Sequence, residues 1–488
     1  MPHMSMDDKQ GSKGEGSRGG AFPRSPVPLL PFFLVTIIFS YFVIGALYAT
    51  QTPAWQVPDE PAHYNVIRQI AQTGALPVLE AGDYDQDYLA ALTRDKFPAA
   101  MPLDRVQYQD YQPPLYYLLV TPVFLLSGGS LIVLRLASLA LGAGVIIFAF
   151  LAVRELFPAQ PWLAFTATGF IAFIPQHIAI MAGVNNDSLS ELLIAVGLFL
   201  VLRSENLSRE PAKRAFIRGR WPFPYKAWLF GLVLGLAFLT KVQAYVLAPV
   251  FAAYVFQRWR RLSPAERHGA RCVRWGMIMF GWAALIGALY WGRNWFVCGP
   301  LDVVCGGRHN QVVVGQPTTL GWIAQYGAAN LIQRFFQFTF QSFWGVFGWM
   351  GVFMDQRVYW ALLIFSAALA AGAVSAARRW PALSEPERDG LVLLALSALV
   401  TLALYLYYNL GFVQHQGRYL FPALIPIGLA AAIGLRQWAR WLAALLRRVP
   451  DVSRFTSYVE IVAPLVPLAL MAALAVLALY RFILPQLR

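Results

Sequence analysis

A chain of 488 residues is long enough for about three soluble domains, but 58% hydrophobic against 13% charged residues excludes that reading and describes a polytopic helical membrane protein. The net charge of +14 does not mark a nucleic-acid binder, because the basic residues sit in short clusters between apolar segments and no nucleic-acid motif is present. Three cysteines, Cys272, Cys298 and Cys305, are too few for a cysteine metal framework.

Residues 1–26 are rich in Gly, Ser and Lys and are expected to form a disordered cytoplasmic tail, with residues 27–488 as one transmembrane domain. The apolar run from Leu29 to Tyr48 is long enough to span, and Lys9, Lys13, Arg18 and Arg24 hold its start inside. The next stretch, Val57-Pro58-Asp59-Glu60-Pro61-Ala62-His63-Tyr64, therefore emerges outside. Two adjacent carboxylates between prolines, with an imidazole close behind, are costly beside hydrocarbon. Asp59 is the expected catalytic residue, with Glu60 beside it; the alternative is an acidic, proline-bounded turn at the membrane surface.

Residues 51–112 carry nine acidic and four basic side chains, a balance compatible with translocation, and a loop this long is expected to hold helix of its own. Gln112-Pro113-Pro114-Leu115-Tyr116-Tyr117 then opens an apolar run ending at Ser127, too short to span and suited to a surface helix. Charge parity supports this. If that run crossed, the basic cluster from Arg203 to Lys226 and every later one would fall outside; if it stays on the surface, they fall inside. The outer loop is then 51–130. The remaining spans are expected at about 131–153, 162–181, 188–203, 226–240, 242–257, 274–296, 357–377, 390–409, 419–437 and 458–480, about 11 crossings with the first. Only Arg481 and Arg488 are misplaced. The short spans 226–240 and 242–257 predict a hairpin with its tip at Thr240-Lys241-Val242-Gln243. A second outer loop, 297–356, is rich in Phe and Trp and predicts interfacial helices. Within it, Cys298 and Cys305 flank Gly299-Pro300 in an oxidising compartment and are expected to form a disulfide.

Polar groups converge on the outer face: Asp59, Glu60 and His63; Arg135 at the start of the second span; His177 and Asn185-Asn186-Asp187 around the third and fourth; Lys241; Arg293-Asn294; and His415-Gln416-Gly417-Arg418-Tyr419. Each has a plainer role available. Asn186-Asp187 can cap a helix, Arg135, Arg293 and Arg418 can snorkel, the histidines can simply hydrogen-bond, and the aromatics can form a belt, although Trp55, Tyr64, Tyr116 and Tyr117 could stack on a sugar. Gathered on one side, cations beside carboxylates suit an anionic substrate and a proton transfer.

A first span followed by a long outer loop with an early Asp59-Glu60 pair, a Gln-Pro-Pro-Leu-Tyr-Tyr surface helix and Leu134-Arg135-Leu136 resembles the GT-C superfamily of membrane glycosyltransferases, which includes protein O-mannosyltransferases and aminoarabinose transferases. With Asn185-Asn186-Asp187, Phe343-Trp344-Gly345, Phe347-Gly348-Trp349 and Gln416-Gly417-Arg418-Tyr419-Leu420, the chain is similar, over about residues 29–435, to a bacterial membrane family catalogued as a domain of unknown function. The resemblance implies an all-α GT-C-like fold in the bacterial inner membrane. It also implies a polyprenyl-phosphate sugar donor, a glycan, lipid or protein acceptor, and an active site on the outer, periplasmic face. In that reading Asp59 is the general base, Arg418, Lys241 and Arg293 hold the phosphate, and His63, Arg135, Asn186, Asp187, His415 and Tyr419 bind substrate. Glu60 and Asp187 orient the acceptor or hold a divalent cation, some relatives using a metal and others none. The reaction inverts the anomeric carbon. A carboxylate beside lipid is expected to gain basicity. The competing readings are a transporter or flippase of a lipid-linked saccharide, which favours ionisable groups near mid-membrane and broken helices, and a non-catalytic envelope-assembly partner.

Overall fold

The computed structural model describes residues 30–206, 223–261, 270–448, 456, 459 and 462–488. The expected tail 1–26 and the cluster from Arg209 to Arg220 lie outside the described residues. The chain is an all-α, multi-pass membrane protein. Among the described residues seven helices are long and apolar enough to cross a membrane, or eight if one bent pair is counted as a single span.

In chain order the long rods are α1 (Leu30–Gln51), α5 (Leu131–Leu156), α8 (Asp187–Asn206), α11 (Ala270–Val297), α15 (Gln356–Ala377), α16 (Glu385–Gly411), α17 (Leu424–Leu446) and α18 (Leu465–Leu477). The bent pair is α6 (Pro161–Ala172) and α7 (Pro175–Met181), which meet at 68°. The bend has a local cause. Pro175 supplies no amide for the α6 ladder and forces the preceding Ile174 into the extended region, at φ −70 and ψ 116. Two shorter rods, α9 (Phe223–Phe238) and α10 (Leu247–Arg260), form the expected hairpin, with Lys241 extended at its tip. Among the described residues, taking α6–α7 as one and including α8, α9 and α10, which are shorter or less apolar, the rods number eleven.

The last span differs from expectation. It runs to Leu487 rather than stopping near residue 480, because the chain continues helically through Ala478–Ile483 and Leu484–Leu487 and buries Leu484 and Leu487. The chain end lies beside the first outer loop: the Arg488 guanidinium donates to Gln51 Oε1 at 3.1 Å, and Lys96 Nζ donates to the Arg488 carbonyl at 2.7 Å. Arg488 is thus held against the end of α1 and against Lys96.

Helix packing uses small residues to bring backbones together. A Cβ placed on Gly372 of α15 would sit 2.5 Å from the Gly434 carbonyl of α17, so only glycine permits this crossing. The first outer loop carries α2 (Glu60–Thr73), α3 (Gln86–Arg94) and α4 (Leu115–Leu126). At 12 residues α4 is about 18 Å long, well short of the roughly 30 Å hydrocarbon core, a length that suits a surface helix better than a span. The second outer loop holds α12 (Gly306–Val312), α13 (Thr319–Tyr326) and α14 (Ala328–Trp344). A two-stranded hairpin follows, β1 (Val346–Phe347) paired antiparallel with β2 (Val352–Phe353). Cys298 and Cys305 are joined by a disulfide, with Cα atoms 5.4 Å apart.

Candidate active site

A cavity of about 960 Å³ opens where the segments 51–130 and 297–356 meet the ends of α9, α16 and α17. Asp59 is in its wall, one position ahead of α2. Its backbone is left-handed, φ 66 and ψ −4, a conformation Asp tolerates better than most residues. A residue at this position usually caps its helix with its own side chain, and Asp59 does not. Its carbonyl accepts from His63 N instead, and the carboxylate is released into the cavity. There Tyr108 Oη donates to Oδ1 at 2.8 Å, and Arg418 Nη2 donates to Oδ2 at 2.8 Å.

Arg418 is carried on a 3-10 turn, Gly417–Ala423, seated on α14. Gly417 N donates to Ser342 Oγ at 2.7 Å, and a Cβ at Gly417 would lie 2.3 Å from the Phe343 amide nitrogen, so the turn rests directly on the α14 backbone. The guanidinium lies over the Tyr419 ring at 5.5 Å, and its buried Nε has no hydrogen-bond partner. A second ion pair stands nearby: Lys241 Nζ lies 2.6 Å from Asp187 Oδ1. Asp59, His63, Lys241, Arg418 and Tyr419 line the cavity. The two cations that line the cavity, Arg418 and Lys241, are thus each joined to a carboxylate.

The other expected site residues do not line it. Glu60 is fully buried and turned away from Asp59's partners, held by Arg135 Nε and Nη2 at 2.7 and 2.6 Å and by the amides of Trp55 and Val184. Arg135 also donates to the carbonyls of Ala49, Thr52 and Pro53, tying the exit of α1 to α5. Two charges removed from water together need such saturation, and the pair forms a buried clamp. Asn186 is buried and donates to Gln112 Oε1 and the Thr240 carbonyl, bridging the start of α8 to the first outer loop and the hairpin tip. The helix cap at Asp187 comes from Asn185, whose Oδ1 accepts from Asp187 N at 3.0 Å. Arg293 points at the carbonyls of Leu76 and Pro77. His415 is buried against the edge of Phe335. His177 pairs with Glu191 inside the bundle at 3.1 Å.

The aromatics also differ from expectation. Tyr116 and Tyr117 are fully buried, bonded to Ser138 and His63 respectively, and neither Trp55 nor Tyr64 faces the cavity. The rings that do include Tyr84, Tyr108, Tyr111, Trp349, Tyr405 and Tyr408. Tyr108 was invisible to sequence reasoning, since its partner lies 49 positions away in an otherwise unpatterned loop.

The electrostatics follow from these contacts. Burial alone would raise the Asp59 carboxyl, but Arg418, His63 and the bonds from Arg418 and Tyr108 outweigh it and hold the group below its ordinary value. The expected gain in basicity is therefore absent while Arg418 is in place. Burial pushes His63 down to about 4, against the opposing pull of Asp59, so it is neutral at physiological pH. Asp110 is the contrary case: burial, with only one bond from Gln69, pushes it up to about 7. Among the described residues no group of three or more His, Cys, Asp or Glu side chains could hold a metal ion. Asp59, in the cavity wall, and Asp187 beside Lys241 are each paired with a cation.

The family model described as "Predicted membrane protein (DUF2142)" matches residues 96–427. No curated protein matches the sequence. The chain is similar in structure to the archaeal oligosaccharyltransferase AglB from Archaeoglobus fulgidus, in complex with an inhibitory peptide and a dolichol-phosphate, at TM-score 0.50 and 14% identity, over 92% of this chain and 56% of that one. It thus spans little more than half the length of that relative. It is also similar to ArnT from Cupriavidus metallidurans bound to undecaprenyl phosphate, at TM-score 0.45 and 16% identity, over 95% of this chain and 74% of that one.

Proposed function

Because the chain belongs to the DUF2142 family of predicted membrane proteins and has a GT-C-like fold, we propose that it is a glycosyltransferase moving a sugar from a polyprenyl-phosphate donor to an acceptor hydroxyl on the outer face of the cytoplasmic membrane. The observation that carries this reading is Asp59 and Arg418 joined at 2.8 Å in the wall of one large cavity: an acceptor for a proton beside a donor for a phosphate. The cavity also reaches α16, whose Tyr407 and Leu410 are exposed and apolar where a lipid chain would lie. That the similar archaeal fold is described in complex with a dolichol-phosphate supports the donor class.

In this mechanism the lipid phosphate meets Arg418, whose Nε is unsatisfied and whose fork suits a phosphate edge, with Lys241 as a second cation. As phosphate oxygens take up the guanidinium, Asp59 loses the partner that depresses it and becomes a competent base. The acceptor hydroxyl oxygen then attacks the anomeric carbon from the face opposite the phosphate. The new carbon–oxygen bond forms as the bond to phosphate breaks, the hydroxyl proton passes to Asp59, and the released negative charge stays on the phosphate against Arg418. The anomeric centre inverts. Tyr108 holds the carboxylate in place, and no step calls for a metal ion. The acceptor, a glycan, lipid or protein, enters from the polar rim.

One observation favours the flippase reading: the bent α6–α7 pair carries His177, joined to the buried Glu191, a broken helix and an ionisable pair within the bundle. Incubating the purified protein in detergent with a radiolabelled polyprenyl-phosphate sugar separates the two. Transfer predicts loss of label from the lipid, whereas a flippase leaves the donor chemically intact.

A further inference from the structure

A second cavity, about 340 Å³, shares no lining residue with the first. It is walled by Trp322, Asn330, Gln333, Arg334, Gln337 and Phe338. α14 separates the two: Phe335 stacks on Tyr405 of the Asp59 cavity at 5.5 Å, and Thr339 hydrogen-bonds the same tyrosine at 2.5 Å. Asn330, Gln333, Arg334 and Gln337 fall three and four positions apart, so they occupy one face of α14, and no acidic residue occurs anywhere in that helix.

Arg334 is the unusual member. Its guanidinium lies 4.9 Å from the Trp322 ring and 4.7 Å from the Phe338 ring, and Trp322 is fixed by donating Nε1–H to Asn330 Oδ1 at 3.0 Å. Among the described residues this guanidinium pairs with no carboxylate and donates no hydrogen bond, and its Nε is buried without a partner. The charged groups of the Asp59 cavity, Arg418 and Lys241, are compensated by Asp59 and Asp187. A cation held by ring faces keeps the edge of its fork free, which is the geometry that grips a carboxylate or phosphate. The surrounding carboxamides supply donors and acceptors for hydroxyls. Ile332 and Phe336 on the same helix, and Leu320 on α13, are exposed and apolar, as in a segment lying against lipid.

We infer that this cavity is a second oxyanion site, for a hydroxylated, phosphate-bearing head group, with Arg334 gripping the phosphate and Gln333 and Gln337 the hydroxyls. It stands independently of the transferase reading, since none of its residues touches Asp59. The same chemistry is offered by a membrane lipid and by free phosphate, and the test separates them. The full-length protein in detergent is titrated with phosphatidylglycerol, phosphatidylcholine or inorganic phosphate, and bound molecules are counted by native mass spectrometry. The wild type is expected to hold one phosphatidylglycerol, with phosphatidylcholine bound more weakly, that Arg334→Gln binds about 10-fold or more weakly, the scale of a lost charge-assisted contact. Gln337→Leu, an exposed substitution that leaves the fold intact, should weaken it several-fold, and Arg418→Gln should leave it unchanged. Retention of inorganic phosphate with the same Arg334 dependence, and no lipid preference, supports the site with a soluble ligand. Equal binding by the wild type, Arg334→Gln and Gln337→Leu, or a loss on Arg418→Gln as large as that on Arg334→Gln, overturns it.

Discussion

Arg418 and Asp59 stand 359 positions apart in sequence, and their side chains meet at 2.8 Å on one wall of the outer cavity. Because the folded Asp59 carboxyl lies below its ordinary value of 3.8, the pair's contribution to stability is fully present above about that pH and is lost only as pH falls through the folded value. Between pH 5 and 8 the difference in Tm between wild type and Asp59→Asn should therefore be constant. For the free enzyme, the pH profile of kcat/KM should show no acid limb from Asp59 in that range, while the profile of kcat, reporting the phosphate-bound state, should show one shifted upward. Coincident limbs in the two profiles would count against the exchange of Arg418 from carboxylate to phosphate.

Glu60 and Arg135 should behave as one structural unit. Removing either alone leaves an uncompensated buried charge, at a cost of about 3–5 kcal/mol. Glu60→Gln and Arg135→Met should each lower Tm strongly, and the double variant should be less destabilised than the sum of the two. A Glu60→Gln protein with wild-type Tm but no activity would instead place Glu60 in the chemistry.

Asp110 predicts a pH-dependent gain. Its folded value, about 7, lies above the ordinary 3.8, so it lowers native stability as pH rises between those values and by a constant amount above them. Asp110→Asn should raise Tm at pH 8 and have little effect near pH 4. Thermal unfolding at the two pH values checks this directly.

How far the sequence alone carries this picture depends on the range of the interactions. The long apolar helices were legible because apolar length is a local property of the chain, and so were the short helix at Leu115–Leu126 and the Cys298–Cys305 bridge. The end of the last span was not, because Arg481 reads as a stop and only the packing of Leu484 and Leu487 carries the helix past it. At the site, Asp59 and Glu60 are indistinguishable in sequence. What separates them is the left-handed backbone at Asp59, which sends one carboxylate to Arg418 and the other to Arg135. The partnership of Tyr108, and the burial of Tyr116 and Tyr117, depend on contacts that no local pattern records.

The disulfide closes a short loop at the foot of α12, and Val304, Gly306, His309 and Asn310 from this segment line the Asp59 cavity. Its loss should cost about 2–3 kcal/mol by chain entropy. The paired Cys298→Ser and Cys305→Ser substitutions should lower Tm modestly and raise KM for the acceptor more than they lower kcat. An unchanged KM would separate this wall from acceptor binding.

The central claim is that Asp59 takes the acceptor proton, and it is tested most directly by single-turnover transfer from a radiolabelled polyprenyl-phosphate sugar by Asp59→Asn. The amide is nearly isosteric and still accepts from Tyr108, so donor binding should survive while the rate of label transfer falls by about 10²- to 10⁴-fold. Arg418→Gln should differ by weakening donor binding as well as rate. Transfer by Asp59→Asn at the wild-type rate would contradict the account.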